Sequence, residues 1–487
     1  MARNATASLF LLQRSDDLLL TFLSPLTNIR PHGRQLLSTE PAPMKEETYM
    51  STLLKSLLGA CALTTLSLAA QAADTTLTIA TVNNGDMVRM QKLTDDFTKA
   101  NPDIKLNWVT LEENVLRQKV TTDIATKGGQ FDVLTIGTYE VPIWGKKGWL
   151  VPLDKLGADY DENDLLPAIR SGLTVDGKLD AAPFYGESSF VMYRKDLMDK
   201  AGLKMPDKPD WKFIREAADK MTDKAAGIYG ICLRGKAGWG ENMAFLTATS
   251  NSFGARWFDM KWEPQFNSPE WKATLDWYLS AMKADGPPGA ASNGFNENLA
   301  LFNAGKCGMW IDATVAASFV TGKDSTVADK VGFALAPDDG KDKRGNWLWA
   351  WSLAVPAGST KVEAAEKFIS WATSKHYTEL VASKSGWADA PPGTRKSLYA
   401  NADYDKAAPF AKMTLESIDS ADPTHPTVQP VPYVGVQFVA IPEFAGIATE
   451  VGQDFSAALA GTMTEDAALA KAQASTESAM KKAGYIK

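Results

Sequence analysis

The chain has 487 residues, 45% apolar, 22% charged and 10% aromatic, as in ordinary globular proteins, and it is too long for one small core, so two domains are expected. Its net charge of −7 comes without any basic run, which speaks against a nucleic-acid partner, since phosphate binding needs clustered Lys and Arg. All 15 tryptophans lie beyond residue 100, so the aromatic content belongs to the body of the chain rather than to its start.

Taken in chain order, the first signal is Met50-Ser-Thr-Leu-Leu-Lys55, a basic start, followed by an apolar run from Leu57 to Leu68 and the small-x-small triplet Ala70-Gln71-Ala72. The run is too short to span a bilayer as a lasting helix. Residues 50–72 are therefore expected to be a signal peptide cleaved after Ala72, which places the mature protein in the periplasm. A second reading takes Leu58-Gly59-Ala60-Cys61 as a lipoprotein acylation box, though its apolar run counted from Met50 is very short. Residues 1–49 show no clear periodicity and are expected to be a non-native extension upstream of a true start at Met50 or Met44. Beyond Ala72 only Cys232 and Cys307 remain. They form no CxxC or Cys/His cluster, so neither a metal nor another cofactor is expected; a disulfide and two separate buried thiols both stay open.

Leu77–Val82 reads as a buried strand, ended by Asn83-Asn84-Gly85. A helix follows with Met90, Leu93, Phe97 and Ala100 on one face, stopped by Asn101-Pro102. Ile104–Leu111 is a second strand. Leu116, Val120 and Ile124 mark a second helix, which Gly128-Gly129 is expected to cap. Phe131–Ile136 is a third strand. This βαβαβ order predicts a parallel sheet covered by helices, with ligands held beyond the carboxyl ends of its strands. The loops there carry Asn84, Asp86, Glu113, Asn114 and Tyr139. Asn and Asp at such ends also serve as helix N-caps, which weighs equally for Asp86 and Asn114; Tyr139 has no capping role.

Further on, Asp176-Gly177 predicts a hairpin turn, and Ala181 to Tyr193 a long extended stretch. Ile228–Leu233, Lys330–Leu335 and Trp347–Val355 resemble strands. Val362–Ser374 and Glu465–Lys482 read as helices. Trp347, Trp349 and Trp351 alternate and so share one strand face. They could simply fill a core, but at least one, Trp349 or Trp351, is expected to line a cleft. Trp257, Trp262, Trp271 and Trp277 fit packed helix and turn patterns and are expected to be structural.

The segments Phe97–Ile104, Gly129-Gln-Phe-Asp-Val133, Met192–Gly202, Phe302–Met309 and Val355-Pro-Ala-Gly-Ser359, in this order across the chain, resemble the extracytoplasmic solute-binding family of the maltose-binding-protein type, which serves ABC importers. Leu111–Lys119, Leu233–Asn242, Gly294–Asn298 and Pro432–Gln437 are most similar to its sorbitol- and mannitol-binding members. The resemblance implies a periplasmic binding protein type II-like α/β fold, with two α/β lobes joined by hinge crossings around a ligand cleft. The crossings are expected near Gly186–Ser189, Trp349–Ser352 and Ser385–Pro392. The lobes are expected to comprise residues 73–187 plus 352–386 and 188–351 plus 387–487. It also implies a monomer that closes on one small polyol or sugar, and an ABC permease as membrane partner.

A linear polyol presents hydroxyls that both donate and accept, along with a strip of C–H, so its site calls for carboxylates, amides and aromatic faces. The expected ligand-binding residues are Asn84, Asp86, Glu113, Tyr139, Glu187, Arg234, Trp239, Asn242, Asp312, Trp349, Trp351 and Tyr433. Glu187 sits where the family commonly places a ligand-binding acid, and could otherwise be a solvated strand-edge acid. Asp312 could instead cap a helix, and Arg234 could instead organise the acids as an ion-pair partner. An enzyme, such as a secreted glycosidase or lyase, is disfavoured: past residue 72 only His376 and His425 remain, and no Gly-x-Ser-x-Gly elbow, P-loop or HExxH helix is present. A mono- or disaccharide remains the alternative cargo.

Overall fold

The computed structural model describes residues 74–487. The expected extension over 1–49, the signal peptide over 50–72 and the Cys61 alternative lie outside the described residues. The strands are β1 (Thr75–Val82), β2 (Ile104–Leu111), β3 (Val133–Gly137), β4 (Thr174–Val175), β5 (Lys178–Leu179), β6 (Ala182–Glu187), β7 (Ser189–Arg194), β8 (Tyr229–Cys232), β9 (Cys307–Ala313), β10 (Val331–Leu335) and β11 (Trp349–Ala354). They form a five-stranded sheet in the order β2-β1-β3-β11-β6, a four-stranded sheet β10-β7-β9-β8, and the hairpin β4-β5.

The first sheet is parallel through β2, β1 and β3, as the βαβαβ pattern predicts, and β11 joins it antiparallel to both β3 and β6. Helices Glu113–Thr126 and Val362–Ala372 pack on it, the latter through Ala365, Phe368, Ile369 and Ala372, all buried. Around the second sheet lie Trp211–Met221, Pro269–Asp285, Phe295–Asn303 and Ala411–Asp419. The hairpin turn is as read: Asp176 and Gly177 have φ of 50° and 81°, the paired positive values of a two-residue turn matched to strand twist.

Three local expectations shift. The helix read from Met90 to Ala100 is broken into Gly85–Leu93 and Asp95–Ala100, where the Thr94 hydroxyl donates back to the Gln91 carbonyl at 2.8 Å. The next helix is capped by Lys127 in the left-handed region (φ 53°) rather than by Gly128-Gly129; the Gly128 N–H closes the turn on the Asp123 carbonyl at 2.8 Å. The second crossing falls before Trp349, not within Trp349–Ser352. Trp349–Trp351, expected on the far side of the 351/352 boundary, hydrogen-bond within the first sheet, Trp349 opposite Glu187 and Trp351 opposite Gly137.

The chain thus passes from one sheet to the other between Glu187 and Ser189, and returns through residues 336–348. A third crossing, at residues 385–395, touches the first where the Gly186 N–H donates to the Pro392 carbonyl at 2.9 Å. There Gly186 and Gly393 meet backbone to backbone. A Cβ on Gly186 would stand 2.3 Å from the Gly393 oxygen, and one on Gly393 (φ 71°) 2.0 Å from the Gly186 oxygen.

The open pairing of Cys232 and Cys307 is settled by a disulfide between β8 and β9, with Cα atoms 5.9 Å apart. Trp257 and Trp271 are fully buried with their indole N–H groups bonded to Thr247 and the Arg256 carbonyl, as core tryptophans require. Trp262 and Trp277 are half-buried and pack against the same core.

Candidate functional site

The carboxyl ends of β1 and β2 bring Asn83, Asn84, Glu112 and Glu113 to one edge of the first sheet. Asn84 does two jobs: its Oδ1 caps the following helix by accepting from Met87 N (3.0 Å), and its Nδ2 donates to the Tyr185 hydroxyl (2.8 Å). Glu112 caps the next helix through Asn114 N and Val115 N. Glu113, in the first turn, meets Arg117 one turn later, its Oε1 accepting from Nε at 3.0 Å and Nη2 at 2.8 Å. Glu140, just past β3, takes the remaining Arg117 Nη1 at 2.8 Å and the Gly137 N–H at 3.0 Å.

From the other sheet, the loop after β8 carries Arg234, Lys236, Trp239 and Glu241. Arg234 grips Asp312 with Nε (2.9 Å) and Nη2 (2.7 Å), and the Gly240 carbonyl with Nη1 (2.9 Å). The Trp239 ring reaches across to Arg117, whose guanidinium lies 3.9 Å from its centroid, 4.7 Å from Trp351 and 5.0 Å from Trp349. Three further contacts close the rim between the two sets of loops: Lys236 with Glu112, Asn114 Nδ2 to the Ala237 carbonyl (3.1 Å), and Asn296 Nδ2 to the Asn83 carbonyl (2.9 Å).

These loops enclose two small chambers of about 50 and 30 Å³ that share Glu113, Glu187, Arg234 and Trp351 as common walls. The first is completed by Asn84, Tyr185, Lys236, Glu241 and Asn296, the second by Arg117, Trp239, Trp347, Trp349 and Gln437. A wider hollow of about 1020 Å³ around Leu153–Asn163 is bounded by open loop residues and holds none of these buried acids.

Of the twelve expected residues, Asn84, Glu113, Glu187, Arg234, Trp239, Trp349 and Trp351 line the chambers. Five do not. Asp312 is fully buried, its oxygens spent on Arg234, the Trp310 indole and the Ala313 N–H. Asp86 pairs with Arg89 at 2.6 Å, which in turn holds Asp389. Tyr139 packs edge-on against Phe438 and at a tilt against Trp239, donating to the Ile441 carbonyl. Asn242 bridges the Gly238 N–H and the Gly452 carbonyl, and the Tyr433 hydroxyl accepts from Trp257 N. Asp312, Tyr139 and Asn242 therefore hold residues of the wall in place, whereas Tyr433 belongs to the core. The reading of residues missed Arg117, Lys236, Glu241 and Gln437. Arg117 had a signal, the Glu113/Arg117 spacing of one helical turn. Gln437 had none, since its amide pairs with both the N–H and the carbonyl of Leu348, 89 residues away, and so steadies the tryptophan segment.

A profile of the bacterial extracellular solute-binding protein family matches residues 83–379. The chain is a bacterial extracellular solute-binding protein. A mannitol-binding protein of Pseudomonas aeruginosa is 58% identical over 439 residues, covering 90% of this chain and all of that one. Among solved structures, an ABC transporter solute-binding protein of Agrobacterium vitis S4 with bound D-mannitol is 77% identical, with a TM-score of 0.84 over 85% of this chain and all of that one. Another, of Agrobacterium radiobacter K84 in complex with ribitol, is 25% identical with a TM-score of 0.74 over 84% of this chain and 99% of that one. Maltose-bound MalE3 of T. maritima, 22% identical with a TM-score of 0.71 over 83% of this chain and 99% of that one, shares the two-lobed fold.

The electrostatics of this solute-binding protein centre on Glu187. Burial pushes its carboxyl up to about 8, against the pull of Arg234 and with the push of Asp312 and Glu113. Glu241 is raised by burial and by Glu113, partly offset by Arg234 and Lys236. Both groups hold a proton in the folded chain at pH values where the unfolded chain has lost it. Their contribution to stability is complete below about pH 4.5 and is lost as the pH rises towards 8. The thermal midpoint of the unliganded protein is expected to be lower at about pH 8.5 than at about pH 6, and in a Glu187→Gln/Glu241→Gln variant this fall should shrink. An equal fall in the variant would assign the pH dependence to other groups.

Proposed function

We propose that this protein is the periplasmic substrate-binding component of an ABC importer, a monomer that captures a linear sugar alcohol and delivers it to membrane permease subunits without chemical conversion. The observation that carries this is the pair of narrow chambers lined by carboxyl, amide and guanidinium groups on one side and by four tryptophans on the other. Each chamber has room for a few water-sized groups, which suits a slim open chain better than a row of pyranose rings. The relatives named above, described as mannitol-binding or solved with mannitol or ribitol, support the same cargo.

The proposed ligand-binding residues are Asn84, Glu113, Glu187, Arg234, Trp239, Trp349 and Trp351, joined by Arg117, Lys236 and Glu241. The lobes are proposed to be residues 73–187 with the strand β11 and its continuation to 386, and the remainder, closing about the crossings at Ser188, 336–348 and 385–395. Closure is favoured by a ligand that touches both walls.

Calorimetry against mannitol, sorbitol, arabitol, maltose and glucose tests the proposal. Heat with a hexitol or pentitol, and little with maltose, is the expected result; silence with every polyol would defeat it. In the same assay Glu187→Ala is expected to weaken mannitol binding by about 1–3 kcal/mol, because a ligand hydroxyl is left without its buried partner. Unchanged affinity would return Glu187 to a purely structural role.

A further inference from the structure

Apart from Glu112 and the exposed Glu297 at the open edge of the first chamber, five carboxyl groups line the two chambers or stand directly behind them: Glu113, Glu140, Glu187, Glu241 and Asp312. Among the described residues, two guanidinium groups, those of Arg117 and Arg234, are buried with them. Lys236 and Glu112 pair with each other at the rim and add no net charge. Arg117 is taken by Glu113 and Glu140, and Arg234 grips Asp312. Arg117 shares its single charge between Glu113 and Glu140, and beyond these pairs two further acids have no close cation. Glu241 keeps only long contacts, 3.5 Å to Arg234 and 3.6 Å to Lys236, and Glu187 enters no ion pair among the described residues. Both are buried, at 6% and 4% exposure for Glu187 and Glu241 respectively, and both face the first chamber. Two leftover buried acids make this chamber short of positive charge, and a buried unpaired carboxylate is costly.

We propose that the cleft also takes alditols bearing one protonated primary amine, with the ammonium seated in the first chamber, which both Glu187 and Glu241 line, and that it turns away aldonates of the same chain length. This rests on the polyol reading, because the remaining hydroxyls are held as in the parent alditol. With a neutral polyol, the surplus acids keep their protons, in line with the upward push of burial on both. An aliphatic ammonium, ordinarily protonated up to roughly pH 10, supplies the missing charge. Glu187 then releases its proton to solvent and the ion pair forms in its place. The charged groups facing Glu187 are Arg234, Asp312 and Glu113; those facing Glu241 are Glu113, Arg234, Lys236 and Glu112. A carboxylate on the ligand adds a further unpaired negative charge to this set.

The test is calorimetry of the purified protein at about pH 7 with D-mannitol, 1-amino-1-deoxy-D-mannitol and D-mannonate, repeated in two buffers of different ionisation enthalpy. The amine is expected to bind about tenfold more tightly than mannitol, with proton release, and mannonate about a hundredfold more weakly. In Glu187→Gln and Glu241→Gln the ratio of amine to mannitol affinity is expected to fall towards one. An amine that binds no better than mannitol overturns the inference, as does an advantage that persists in both variants. Should mannitol give no heat, the polyol reading fails; binding of the amine but not of mannonate would then still support the charge assignment, and binding of neither would end both.

Discussion

Replacing Arg234 by alanine is expected to cost about 3–5 kcal/mol of folding stability and to abolish measurable ligand binding. Asp312 sits at 0% exposure at the end of β9, and Arg234 is its one ion-pair partner among the described residues. Without that partner, two neutral donors remain, the Trp310 indole and the Ala313 N–H, and a buried carboxyl group is left with no cation beside it. The same deletion frees the Gly240 carbonyl, the contact that pins the loop presenting Trp239 and Glu241 to the chambers. Binding is lost because this wall moves, and stability because of the stranded acid. Urea titration separates the two effects. The double change Arg234→Met/Asp312→Leu removes both charges and is expected to recover most of the stability while leaving binding absent. A single variant within about 1 kcal/mol of the parent would mean that the Arg234–Asp312 pair contributes little to folding.

Removing the disulfide is expected to have a comparable effect by a different route. Cys232 and Cys307 are 75 residues apart and join neighbouring strands of the second sheet. Closing a loop of that length in the unfolded chain is worth about 4 kcal/mol in the chain-entropy description. The Cys232→Ala/Cys307→Ala variant should therefore unfold at markedly lower denaturant, with a steeper dependence on its concentration as the freed chain exposes more surface. Ligand affinity should change much less than stability, since Arg234 and Asp312 remain paired once the domain is folded. A variant as stable as the parent would show that the strand pairing alone fixes this region.

Much of the first sheet was legible because its signals are local. The strand at Ile104–Leu111 and the helix at Val362 follow from short apolar runs and from periodicity, and the structure places them within a residue or two of the reading. The helix break at Thr94 was not legible, because an apolar face continues across it from Met90 through Phe97. The site divides along the same line. Asn84, Glu113 and Glu187 stand at strand ends, where sheet topology alone points to a cleft. Asp312 also stands at a strand end, yet its role is fixed by Arg234, 78 residues earlier. Arg117 gains its importance from Trp239 across the cleft, a partnership that no local spacing encodes. Short-range pattern gives the position of a side chain; whether it faces a ligand or another side chain depends on partners far away in the chain.

The contact between Gly186 and Gly393 bears on how this chain can change over generations. Each position excludes a side chain on the other's account, since a methyl group on either would overlap a carbonyl oxygen across the gap. Drift at one site finds no compensating change at its neighbour, because the obstacle is main chain and no substitution removes it. Each glycine is therefore expected to stay fixed on its own account, and variants that bind new cargo are expected to arise by replacing the chamber walls while this contact stays the same.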